Sequence, residues 1–242
     1  MRSAITIGLI ALLFSAAGSR AFAAVPAMQH LTIRIKDKSL PPQSFAAQPK
    51  EYWRVNGEHA RILEGLDVPH NLRKLVICNP PDYYEINLET RKGEHVIMDK
   101  KTPVHLPIFT GHNPSAMKLR DLEYGNELEY FTSHNAKKTS QTGKSGTIDQ
   151  YELDIDDVSV ILTVQPKKKK PLTLSLCLKK TNESVTFEYL NYESLPFDEK
   201  VFQPPKNVTL TDMREQQFKQ EQAAKVSRAI ENKKRMMLGQ PR

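Results

Sequence analysis

The chain has 242 residues, 39% of them hydrophobic and 26% charged, with a formal net charge of +7 and two cysteines. Eight Lys/Arg against three Glu from Met213 onward, together with Arg2 and Arg20, account for that whole charge. Residues 24–212 are therefore neutral overall, which excludes a uniform nucleic-acid-binding surface. Cys78 and Cys177 make no disulfide framework, and a chain of this size can bury a core without one.

Residues 1–23 read as a secretory signal peptide: Arg2 in a short basic head, an apolar run from Ile5 to Phe14, and Ala21-Phe22-Ala23 as the small-x-small cleavage pattern. The run is too short to remain as a bilayer anchor, and no later segment is apolar enough to cross. The expected mature chain starts at Ala24 and is exported. No cysteine stands near the cleavage site to take a lipid.

Strand signals follow. Leu31, Ile33 and Ile35 alternate with Thr32, Arg34 and Lys36. Asn56-Gly57 sits between two alternating runs and predicts a two-residue hairpin pairing Val55 with Glu58, Trp53 with Ala60 and Tyr52 with Arg61. A second hairpin turns at Pro80-Pro81, placing Ile77 opposite Tyr84 and Leu75 opposite Ile86, which keeps the apolar sets on one face. A third turn is expected at Arg91-Lys92-Gly93.

Beyond Thr102 the alternation stops. The stretch to His134 reads as a crossover with one or two short helices, one of them starting at Pro114 behind Asn113. Asn135 to Gly146 reads as a polar connector. Four alternating runs then share faces: Tyr151, Leu153 and Ile155; Val158 to Val164; Leu172 to Leu178; Val185, Phe187 and Tyr189. Their short links predict an antiparallel meander. Residues 194–212 are extended and broken by prolines. Asp212, three residues before Glu215, predicts the cap of a basic helix to about Met237 with sparse apolar positions.

Chemistry is hard to find. The seven histidines have no metal-ligand spacing. Asp154, Asp156 and Asp157 lack the glycine and distal glutamate of a calcium loop and read as a solvated turn. No nucleophile signature or cofactor motif is present. Lys167 to Lys170, between two prolines, reads as a charged hairpin tip, with docking to an acidic surface as its functional alternative. What remains is a one-sided apolar sheet that must be covered. It is either packed by the chain's own side chains or left in part as a cavity for an apolar ligand.

The segment "YWRVNGEHARIL…LVICNPPDYYEINLETRKGEHVIMD" resembles the outer-membrane lipoprotein carrier family, LolA-like proteins and their relatives. Trp53 and Arg61 match its W…R pattern, and Pro80-Pro81 stands where the family has Asp-Gly. "VTFEYLNYESLPFDEKVFQPPKNV" is similar to its closing segment, with Phe187, Phe202 and Pro205 as the matching positions. The lost Asp-Gly turn, a different central segment and the basic tail are departures from the family. The resemblance implies a mainly β fold: an antiparallel, unclosed half-barrel of about nine to eleven strands with a central lid, here followed by a C-terminal helix. Residues 24–212 would form the half-barrel and 213–242 the tail.

It also implies a periplasmic, non-enzymatic binding protein without a cofactor or metal. Its partners would be acyl chains, phospholipid or lipoprotein, with membrane contact through the basic tail. The candidate cavity wall is Trp53, Val55, Ile62, Leu75, Ile77, Tyr84, Ile86 and Leu88 with Val160, Leu162, Leu174, Leu176 and Phe187. Arg61 would hold the lid through backbone carbonyls. The alternative is a periplasmic interaction or sensor module with a self-packed core and no lipid cargo.

Overall fold

A computed structural model of the chain describes residues 27–214 and Lys219, except 37–39, 42–43, 56, 100–102, 110–116 and 144–145. The predicted signal peptide, the helix start at Asn113-Pro114 and nearly all of the basic tail helix lie outside the described residues.

Alternating sequence becomes one sheet. The strands are β1 (Ala27–Ile35), β2 (Lys50–Val55), β3 (His59–Asp67), β4 (Leu72–Asn79), β5 (Asp82–Asn87) and β6 (Lys92–Ile97), then β7 (Lys137–Gly143), β8 (Gly146–Ile155), β9 (Val158–Gln165), β10 (Lys170–Leu178), β11 (Glu183–Pro196) and β12 (Thr209–Asp212). Their spatial order is β12-β6-β5-β4-β3-β2-β1-β11-β10-β9-β8-β7, with no pairing that joins the two edges among the described residues. The protein is a mainly β, unclosed half-barrel. All pairings are antiparallel except β12 with β6, which is parallel. One α-helix is described, α1 (Glu127–Ser133).

The strand count is twelve rather than nine to eleven because two polar segments pair. The supposed connector is β7, an edge strand hydrogen-bonded to β8 from Lys137↔Glu152 to Gly143↔Gly146. All its side chains are exposed, so nothing selected an apolar alternation. The extended C-terminal stretch ends in β12, a strand of four residues against β6.

The Pro80-Pro81 hairpin has the expected register, Ile77↔Tyr84 and Leu75↔Ile86. The Asn56-Gly57 hairpin does not. Glu58 belongs to the loop, its N–H bonds Val55 O at 3.0 Å, and the pairs are Val55↔His59, Trp53↔Arg61 and Tyr52↔Ile62. The next turn comes earlier than expected, at Leu88 to Arg91, and Lys92 and Gly93 already belong to β6. Gly93 is there for close approach: a Cβ would stand 2.6 Å from the Glu85 carbonyl oxygen.

The sheet is covered on both faces. One cluster holds Leu31, Ile33, Tyr52, Val160, Leu162, Leu174, Phe187 and Tyr189 from the sheet, against Leu106, Leu119, Leu122, Tyr124 and Phe131 from the crossover. This is the lid face. On the other face, Met28, Val55, Leu75, Ile77 and Ile86 pack around Phe202, with Phe197, Val201, Val208 and Leu210 beside them. Those last residues come from the chain between β11 and the end of β12, so this is the arm face. Phe202 and Leu75 are fully buried there, and Phe131 and Leu162 on the lid face. Each such side chain contributes roughly 1.5–3 kcal/mol over its exposed state.

Candidate functional site

The crossover is a structured lid. It leaves the sheet end at the β2–β3 turn, where the Val104 N–H bonds Gly57 O at 3.1 Å. It doubles back on itself, with Ile108 N–H to Leu122 O and Tyr124 N–H to Leu106 O, both at 3.0 Å. It then crosses to β8 and β9 through α1, which buries Tyr130 and Phe131 against them.

A buried polar cluster ties the lid to the sheet. Arg54, on the same face of β2 as Tyr52, donates from Nη1 to Tyr124 O at 2.7 Å and pairs through Nη2 with Glu123 Oε2 at 2.5 Å. Arg54 and Glu123 are 6% and 4% exposed, so neither charge has water as an alternative partner. The other Glu123 oxygen meets His105 Nδ1 in a short contact. The Tyr52 and Tyr124 rings pack at 4.2 Å.

Next to this pair, Glu127 of α1 accepts the Gly125 N–H at 2.9 Å and the Tyr189 hydroxyl at 2.8 Å on one oxygen. Its carboxyl is pushed up by burial, against the opposing pull of those two donors and of Arg54. Burial also raises Tyr189, Tyr124 and Tyr192, and the neighbouring Glu127 carboxylate adds to it in all three. Gly125 at φ +94 lets the lid backbone pass close to β1; a Cβ there would stand 2.2 Å from Gln29 Oε1.

Between the lid and the sheet lies a cavity of about 430 Å³. Ile33, Ile35, Tyr52, Ile62 and Phe187 line it from the sheet, and Leu106, Pro107, Ile108 and Tyr124 from the lid. Polar groups enter from Gln48, Lys50, Glu64 and His105. Lys50 Nζ pairs with Glu64 at 3.2 Å and lies 4.8 Å from the centre of the Phe45 ring.

The thirteen residues expected on one wall fall on two faces. Trp53, Val55, Leu75, Ile77, Tyr84, Ile86 and Leu88 belong to the arm-face cluster, filled by the C-terminal segment. Ile62, Val160, Leu162, Leu174, Leu176 and Phe187 belong to the lid face, and of these Ile62 and Phe187 line the cavity. The one-residue change of register at Glu58 explains the division. A slip of one residue moves every side chain to the other face; pairing Trp53 with Ala60 would have joined Ile62 to the Trp53 set.

Arg61 does reach a backbone carbonyl, but on the arm. Its Nη1 donates to Val201 O at 2.8 Å, and its guanidinium lies 4.9 Å from the Trp53 ring centre. The lid is held instead by Arg54, which the sequence reading passed over with Glu123, Glu127 and Tyr124. The available signal was positional: Arg54 shares a strand face with Tyr52, opposite Trp53 and Val55.

Among the described residues no group of three or more His, Cys, Asp or Glu could hold a metal, and no helix is long and apolar enough to cross a membrane. Asp154, Asp156 and Asp157 each pair with a lysine. Cys78 and Cys177 are both free thiols.

The fold and site define an unclosed half-barrel with a lidded apolar cavity. No family model and no curated protein matches the sequence. Solved structures similar in chain path include an uncharacterized conserved protein from Thermus thermophilus, at 6% identity and TM-score 0.43, covering 78% of this chain and 91% of that one. The MucA/MucB complex of Pseudomonas aeruginosa gives 12% identity and TM-score 0.40, covering 77% of this chain and 59% of that one. A LolA superfamily protein from Nitrosomonas europaea gives 11% identity and TM-score 0.30, covering 75% and 91%. These are likenesses of path, and the function is argued from this chain's own residues.

Proposed function

We propose that the chain is a periplasmic binding protein, not an enzyme, that shuttles or senses an apolar ligand: lipid, or the acyl part of an acylated protein. The observation that carries this reading is the 430 Å³ cavity between an apolar sheet face and a lid fixed by a buried ion pair. Its volume falls within the roughly 300–1,000 Å³ of small-molecule sites. Burying a methylene yields about 0.8 kcal/mol whether it leaves water for protein or for bilayer, so exchange with a membrane is nearly balanced and a modest cavity suffices. The basic tail would add about 1 kcal/mol per Lys or Arg held near an anionic surface.

The second reading is an interaction module without cargo. It is favoured by the filling of most of the lid face by the chain's own Leu119, Leu122 and Phe131, all fully buried. Native mass spectrometry of protein exported to the periplasm and purified without detergent separates the two. Adducts that vanish on organic extraction and reappear in the extract as fatty acid or phospholipid support the binding protein. A ligand-free mass together with one stoichiometric protein partner supports the module.

A further inference from the structure

Resting on the binding reading above, we infer that the closed cavity takes a single acyl chain with an anionic head, bound at Lys50, rather than a two- or three-chain lipid. Two independent observations lead there. The first is volume. At roughly 30 Å³ for each water-sized group, 430 Å³ holds about fourteen such groups. One chain of medium length fills that space. A second chain finds room only if the lid leaves, which breaks both Arg54 contacts and the Tyr189–Glu127 bond.

The second observation is the chemistry of the lining. The sheet side offers Ile33, Ile35, Ile62 and Phe187 as an apolar wall, with Lys50 as its cation. An ammonium has three donors. Among the described residues Lys50 gives one, to Glu64, at 3.2 Å, and its position against Phe45 holds it in place. That distance is longer than the roughly 2.7–2.9 Å of a well-made charge-assisted bond. The pair is also partly exposed, so a carboxylate or phosphate head displaces Glu64 at little cost. Arg54, by contrast, is committed to Tyr124 and Glu123. The other cavity charges are thus Glu64, which repels the head, and His105, whose Nδ1 is turned to Glu123.

The test is isothermal titration of the full mature chain with octanoate, dodecanoate, hexadecanoate, dodecanol and dodecyl phosphate, and with phosphatidylglycerol vesicles. The expected result is one dodecanoate per chain, with affinity rising by about fourfold per methylene from octanoate and flattening toward hexadecanoate. Lys50→Gln lowers dodecanoate and dodecyl phosphate affinity by about tenfold and leaves dodecanol unchanged. Lys50→Arg keeps the affinity, and Glu64→Gln raises it. Thermal unfolding of each variant controls for folding. Equal binding of dodecanol and dodecanoate, unaffected by Lys50→Gln, overturns the anionic head. Extraction of one intact two-chain lipid per protein from the vesicles, more tightly than any single-chain probe, overturns the single chain. If no probe binds, dodecanol included, both this inference and the cavity-binding reading fall.

Discussion

Replacing Arg54 with methionine removes the cation that holds the lid while keeping most of the aliphatic stem. The structure sets the size of the effect. Two contacts are lost, the 2.7 Å bond to Tyr124 O and the 2.5 Å pair with Glu123, and both partners are almost wholly buried. Breaking a buried ion pair from one side costs about 3–5 kcal/mol, because the remaining charge is stranded. His105 still faces Glu123, so the low end is expected, about 3 kcal/mol.

That loss falls on the lid rather than on the sheet, since both lost partners, Glu123 and Tyr124, belong to the lid. Hydrogen exchange reads it directly. The Tyr124 and Ile108 amides, which close the lid on itself, should exchange about a hundredfold faster, and the β9–β10 amides at their parental rate. Arg54→Met combined with Glu123→Gln should recover more than about 1 kcal/mol, because no charge is then stranded. Unchanged lid exchange in Arg54→Met, or strictly additive costs in the double variant, would refute the latch.

Three further outcomes follow from the same geometry. Arg61→Ala should cost about 1–2 kcal/mol, through the Val201 carbonyl and the Trp53 ring, and should speed exchange in the arm while leaving the lid untouched. Phe202→Ala, at a fully buried site, should cost about 3–5 kcal/mol in urea unfolding and expose residues 197–208 to protease while lid exchange stays as in the parent. Alkaline stability carries a sign. Burial raises the Tyr52 hydroxyl from 10.0 to about 12. Its contribution is therefore whole below pH 10 and lost as pH rises through about 12, a fall of about 3 kcal/mol. Urea midpoints across that window should drop steeply in the parent and less in Tyr52→Phe.

The sequence disclosed the strands that have one wet and one dry side. Val158 to Val164 and Leu172 to Leu178 alternate, and β9 and β10 pair with Leu162 opposite Leu174 as a meander requires. It concealed β7, whose side chains are all exposed, because period-two patterning records burial and not pairing. Nor could it tell which faces of neighbouring strands coincide. That depends on loop length, and Glu58 in the loop reassigned Ile62 to the lid and Trp53 to the arm. The latch was hidden for another reason. A buried Arg–Glu pair looks like two surface charges until tertiary structure brings residues 54 and 123 together, and no local pattern encodes that meeting.

The two ends of the sheet differ in how far they allow the protein to join itself. At β6 the chain's own C-terminal segment lies down as β12, a strand too short to template much. At β7 the outer row of backbone groups has no strand beyond it among the described residues, and Lys137 and Lys138 stand guard. A second copy could dock there through its own β7, but the resulting pair would present only capped ends. Edge-to-edge growth in this architecture stops at two chains, so a concentrated, crowded compartment offers it no route to a fibre.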